Sequence, residues 1–254
     1  MRLPWATALL ALTVLAVYAY SSGGLLYPDS SLVAQNAFGA ANPLAFLFSL
    51  FFHIGAFHVV GNLIPLVAFA FLLEHTLSGR DVLAVFLASG LVAALVFFVL
   101  NPSSFLAGAS GGIAGLMTAA ALSRPKWGAV LLVAVPLFVS FVANPALASV
   151  ERASFSDLSG QVAFLMQQAE QFEAAGDFEE AAKSRAEAAA TNATLSSQEA
   201  TAAAERKAVP DFLVHLSGAL VGVLYVLLFF RDRVRDGFED VAVLLDGWTG
   251  RVRG

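Results

Sequence analysis

The stretch Gly108-Ala109-Ser110-Gly111-Gly112 sets a hydroxyl between glycines at the point where an apolar run should turn helical. A serine placed there is accessible, and the free backbone N–H groups of a first helical turn stand behind it. On their own the five residues read first as a glycine-rich helix start with a capping serine. Only partners elsewhere in the chain can change that reading.

The surrounding composition places the stretch in a bilayer. Of 254 residues, 58% are hydrophobic and 13% charged, with 22 phenylalanines, which is the balance of a membrane protein. There is no cysteine, which excludes a disulfide framework, a thiol nucleophile and a zinc–thiolate site. The formal charge of -5 gives no reason to expect nucleic acid as a partner, and the four histidines show no metal-ligand spacing, so no metal is expected. The acidic, cysteine-free chain suits a salt-adapted prokaryote and its plasma membrane.

Outward from the stretch, the pattern predicts an all-α, polytopic membrane bundle of six transmembrane helices with a soluble helical insertion between helices five and six. Leu3 to Tyr20, behind Arg2, reads as the first span, with a signal peptide as the alternative. After a loop without Lys or Arg, Leu44 to Phe52 is apolar enough to lie on or dip into the membrane. The second span runs from about Phe57 to Leu73 and the third from Val82 to Leu100. The fourth starts near Leu106 and ends before Arg124-Pro125-Lys126. Gly128 to about Asn144 is the fifth, kinked at Pro136, and Phe212 to Phe230 the sixth. Gly237 to Trp248 suits a short surface helix.

Between the last two spans the character changes. Glu151 to Ala208 is rich in Ala, Glu and Gln and carries ten acids against five bases. Val162 to Ala175 and Phe178 to Ala190 have helical periodicity, with Gly176-Asp177 as the turn. The run from Gly176 to Ala188 resembles half of a tetratricopeptide repeat, and one such hairpin cannot bury its own apolar face, so it has to dock or stay loosely ordered. The expected organisation is therefore residues 1–150 with five spans, 151–208 as an extracytoplasmic acidic insertion, 209–231 as the sixth span and 232–254 as a cytoplasmic tail.

Short-loop basic residues at Arg2, Arg80, Arg124 with Lys126, and Arg231 with Arg233 and Arg235 all fall on one side of six spans. The positive-inside rule makes that side, and both termini, cytoplasmic, with the insertion outside. Spans two, four and six then run inward together. His58 with Asn62, then Ser110, then His215 each sit near the start of one of them, at one depth below the outer surface. Polar side chains inside spans are costly and face the bundle interior or a cavity. His58 and Asn62 share a helix face. Ser110 and His215 stand at the outer ends of small-residue faces, Gly111 with Gly115 and Gly218 with Gly222, which let two helices approach closely. A histidine that takes the serine proton makes an acylating nucleophile, and the Ser110 N–H with the Asn62 and His58 side chains could hold the oxyanion.

These residues resemble the rhomboid family of intramembrane serine proteases. The resemblance is carried by His58 and Asn62 with the preceding His53, by the Glu74 to Gly79 exit of span two, by GxSG at Gly108 to Gly111, and by HxxGxxxG from His215 to Gly222. It implies Ser110 as nucleophile, His215 as general base, an oxyanion hole lined by His58, Asn62 and the Ser110 N–H, and supporting roles for His53, Gly108, Gly111, Gly218 and Gly222. It further implies hydrolysis, without a cofactor, of peptide bonds in or near the transmembrane segments of membrane-protein substrates that arrive through the bilayer between spans two and five. Ala114 departs from the family's aromatic residue four positions after the serine, which leaves His215 less well held. The insertion beside the active-site mouth is either a lid or selecting module that contacts substrate or a partner protein, or a tolerated loop. A non-proteolytic rhomboid-like protein that binds or escorts membrane clients is the competing function. A transporter or channel is disfavoured by the few charges within the spans.

Overall fold

Backbone N–H and C=O groups that meet no water have to be paired within the chain, and long apolar runs achieve this as helices. The computed structural model describes residues 4–39, 42–207 and 211–252. Arg2, Leu3 and the residues 208–210 that join the insertion to the last span lie outside them. Among the described residues the extended pairings are isolated antiparallel bridges, Phe38 with Leu106 and Gly39 with Asn42. The rest of the regular structure is helical.

The helices are α1 (Trp5–Ser22), α2 (Ser30–Asn36), α3 (Ala56–Glu74), α4 (Gly79–Leu100), α5 (Ser110–Ser123), α6 (Pro125–Phe138), α7 (Asn144–Ala174), α8 (Phe178–Lys207), α9 (Phe212–Phe229) and α10 (Arg231–Val252). Single 3₁₀ turns at Pro43–Phe46 and Phe48–Leu50 replace regular helix in the apolar stretch before α3. Among the described residues five helices, counting α6 and α7 as one, are long and apolar enough to cross a membrane. The sixth, α5, has 14 residues, a rise of about 21 Å against a hydrocarbon core of about 30 Å.

Three segments differ from the sequence expectation. The fourth span does not start near Leu106. Phe38 and Leu106 exchange backbone hydrogen bonds of 2.9 Å in both directions, and Gly108 has φ +131°, so the helix begins only at Ser110. The fifth helix does not end near Asn144. It passes through a π-helical turn at Val139–Ala143 and continues unbroken, so Pro125–Ala174 forms one helix of 50 residues. The wider turn contains Phe141, the residue whose carbonyl Pro145 would otherwise strike. At about 75 Å this helix is far longer than a bilayer core, and its second half forms a hairpin with α8. The surface helix at the C-terminus is also longer than expected, starting at Arg231.

Close backbone approach organises the bundle. α5 lies in its centre, touching α3, α4, α6 and α9. Cβ atoms at Gly218 and Gly222 would collide with the carbonyl oxygens of Gly111 and Gly115 on α5. Next to these contacts Thr118 Oγ1 donates to the Ala219 carbonyl at 2.9 Å. On the other flank of α5, a Cβ at Gly112 would lie 2.7 Å from the Phe86 carbonyl of α4, and one at Gly115 would strike the Ser89 side chain. At the opposite end of the bundle from Ser110, Glu74 at the end of α3 accepts from the Ala6 and Thr7 N–H groups at 3.0 Å each, and so caps α1, whose own N-cap is Pro4. Thr76, Arg124, Lys126 and Arg233 surround one cavity there, so these basic sites share an end.

Gly218→Ala is expected to cost about 1–3 kcal/mol by overpacking against backbone, read as a lowered Tm in detergent. Gly61→Ala on α3, where an added Cβ meets nothing within 4 Å, is expected to hold or raise the Tm.

Candidate active site

Ser110 is the first residue of α5 and not its cap; the N-cap is Ala109, which has no side chain for that task. The loop that delivers it is pinned at two points, by the Phe38–Leu106 pair and by the Gly108 N–H, which donates to the Ser49 carbonyl at 2.9 Å. The hydroxyl therefore stands at the head of a helix whose first N–H groups lack intrahelical acceptors.

His58 reaches this loop from the first turn of α3. A Cβ at Gly108 would lie 2.8 Å from Cε1 and 2.9 Å from Nε2 of its imidazole, so the missing side chain of Gly108 is the space the ring occupies. Asn62, one turn below, is buried at 6% exposure, and its Nδ2 donates to the His58 carbonyl at 2.9 Å. His53 is fully buried behind them, with Nδ1 3.1 Å from the Phe51 carbonyl and its ring 5.0 Å from that of His58 in an edge-on arrangement. Neither His53 Nε2 nor His58 Nδ1 has a hydrogen-bond partner among the described residues.

His215 sits one turn above Gly218 on α9, as Ser110 sits beside Gly111 on α5, and the Gly111–Gly218 contact brings these helix ends together. Among the described residues no hydrogen bond joins the Ser110 hydroxyl to the His215 ring. Catalytic hydrogen bonds are commonly long without substrate and tighten when it binds. Ala114, half-buried, lies one turn below Ser110. No group of three or more His, Asp or Glu among the described residues is arranged to hold a metal.

The family model described as Rhomboid domain matches residues 41–165. The chain belongs to the rhomboid family. It is an integral, multi-pass membrane protein. The match takes in His53, His58, Asn62 and Ser110 and ends within α7, before α9, so His215 is placed by helix contact and by its own HxxGxxxG run. No curated protein and no solved structure matches the chain.

Sequence reasoning did not single out one residue that the structure brings to the start of α3. Glu205, near the end of α8 and 9% exposed, directs its carboxylate at the start of α3, accepting from the Phe57 N–H at 3.4 Å and from the His58 N–H. Burial raises its carboxyl pKa, and the two backbone donors oppose that shift. The hairpin that brings it is anchored to the loop between α1 and α2. Gln198 pairs with both N–H and C=O of Tyr27 at 2.9 Å, the Tyr27 hydroxyl donates to Glu151 at 2.8 Å, and Arg206 pairs with Glu151. Tyr27, Ala56 and Ala202 close a small apolar core beneath these bonds. Between α2, α8, Ile54 and Phe105–Ala107 lies a cavity of about 430 Å³ that ends at Ala107, three residues before Ser110.

Gly108→Ala is expected to keep the fold but displace His58, since the alanine meets both the ring and a glycine-only φ. A fall of about 10²-fold in kcat, with KM little changed, would follow from misplacing that ring.

Proposed function

We propose that the protein is an intramembrane serine endopeptidase that hydrolyses peptide bonds in or near the transmembrane segments of membrane proteins. The observation that carries this reading is the glycine-mediated contact of α5 with α9, which holds the head of the helix bearing Ser110 against the turn bearing His215, beside the His58 ring. In this reading Ser110 Oγ attacks the scissile carbonyl carbon while His215 takes its proton. The tetrahedral oxyanion is held by the Ser110 N–H and the side chains of His58 and Asn62. His215 then delivers the proton to the leaving amine, leaving an acyl-enzyme that water hydrolyses with His215 again as base. No cofactor enters the reaction.

Substrate access through the bilayer is proposed between α3 and α6. Only 6% of the apolar window of the Pro125–Ala174 helix is buried, against 39% for α3 and for α4, so α6 is the span the bundle holds least. Its π turn and two flanking prolines allow it to bend. The active site is proposed to open on the outer side, with both termini cytoplasmic. The competing reading, a client-binding rhomboid-like protein without hydrolysis, is favoured by Ala114 and by the unmade bond between Ser110 and His215.

Cleavage of a single-span test substrate in liposomes separates the two. The wild type is expected to cut it, and Ser110→Ala and His215→Ala each to lose turnover by several orders of magnitude, as removal of a nucleophile or its base does elsewhere. Equal cleavage by wild type and Ser110→Ala, or none by either, would sink the protease reading.

A further inference from the structure

The helix that carries His58 and Asn62 starts without a cap of its own. Its N-cap residue is Gly55, with extended φ -173° and ψ 175°, and no side chain there binds the free N–H groups of the first turn. Two of these, at Phe57 and His58, are taken by the carboxylate of Glu205, which arrives from α8 across 147 residues of chain. A Cβ at Gly55 would occupy the place of that carboxyl group. Phe57 and His58 are the second and third helical residues, the two whose N–H groups an Asp or Ser at the N-cap would bind. Glu205 thus fills from another helix the position a local cap leaves empty.

We propose that Glu205 is a positioning residue for the oxyanion pocket, capping α3 from the α7–α8 hairpin and so fixing the turn that aims His58 and Asn62 at Ser110. The inference rests on the proposed hydrolytic role of Ser110, and it makes the hairpin part of the framework of the site. His58 is held at three points: its backbone N–H by Glu205, its carbonyl by Asn62, and its ring by the gap at Gly108. Loss of the first frees the helix start to fray, since the opening turn has no other side-chain acceptor within it.

The test uses the full chain in liposomes, with kcat and KM for a single-span substrate and amide hydrogen exchange over residues 55–62. Glu205→Ala is expected to lower kcat by about ten- to a hundred-fold with KM within about twofold, and to speed exchange at Phe57 and His58. Gly55→Asp added to Glu205→Ala returns a carboxylate to the same two N–H groups from the α3 side. It is expected to recover most of the rate and of the protection, although the hairpin no longer touches α3 through residue 205. Should Glu205→Ala fail to fold, Glu205→Ser, which also removes the carboxylate and leaves the place beside Gly55 open, carries the same comparison with and without Gly55→Asp. Wild-type kcat and unchanged exchange in the single variant would overturn the proposal. So would a loss that Gly55→Asp does not restore, because a residue that merely anchors the hairpin cannot be replaced from α3. If the wild type shows no Ser110-dependent hydrolysis, the protease reading fails separately, and exchange alone decides whether Glu205 fixes the turn.

Discussion

Two helices that run side by side at backbone contact are the constraint on which this structure depends. Gly218 and Gly222 let α9 rest on the carbonyls of Gly111 and Gly115, a distance no residue with a Cβ allows. Without a hydrophobic drive between helices in lipid, such association comes from packing and from hydrogen bonds like that of Thr118 to Ala219. The contact fixes more than stability. It sets the register of α9 against α5, and with it the height of His215 relative to Ser110. Because α5 is short and begins only where the Phe38–Leu106 pair and Gly108 release the chain, the serine sits at a helix head reached by a pinned loop.

A second constraint is the fate of helix ends. α1 and α3 both begin with residues that offer no capping side chain, Pro4 and Gly55, and both receive a glutamate from elsewhere. Glu74 closes α1 from the far end of α3, and Glu205 closes α3 from the hairpin. The two glutamates therefore chain α1, α3 and α8 together by charge-assisted bonds to backbone N–H groups, stronger than neutral ones. Seen this way the inserted hairpin is not an ornament on the bundle. Through Ala202 it packs on Tyr27 and Ala56, and it reaches the first turn of α3.

The parts of this arrangement that were legible in the sequence are those written in local pattern. Apolar runs, the small-residue spacing after Ser110 and His215, and the four-residue step from His58 to Asn62 each mark a helix face, and the structure brings His58 to Gly108 and Gly111 to Gly218. The illegible parts depend on partners far away in the chain. Pro136 and Asn144-Pro145 look like a helix end, yet a π turn absorbs them and the helix runs on to Ala174. The fourth span loses its first residues to a bridge with Phe38 that no local pattern announces. Glu205 is one of ten acids in an Ala- and Glu-rich segment, where a buried capping carboxylate and a solvated one look alike. Its only trace was the uncapped glycine at the start of α3.

In the proposed reaction the α5–α9 contact makes Ser110 a nucleophile activated by His215. The most direct measurement is the mass of the intact protein after treatment with a fluorophosphonate in liposomes, with the modified residue located by fragmentation. One adduct is expected, on Ser110, with a rate of formation that collapses in His215→Ala. Labelling that is absent, that falls on another residue, or that proceeds at the same rate without the imidazole would contradict it.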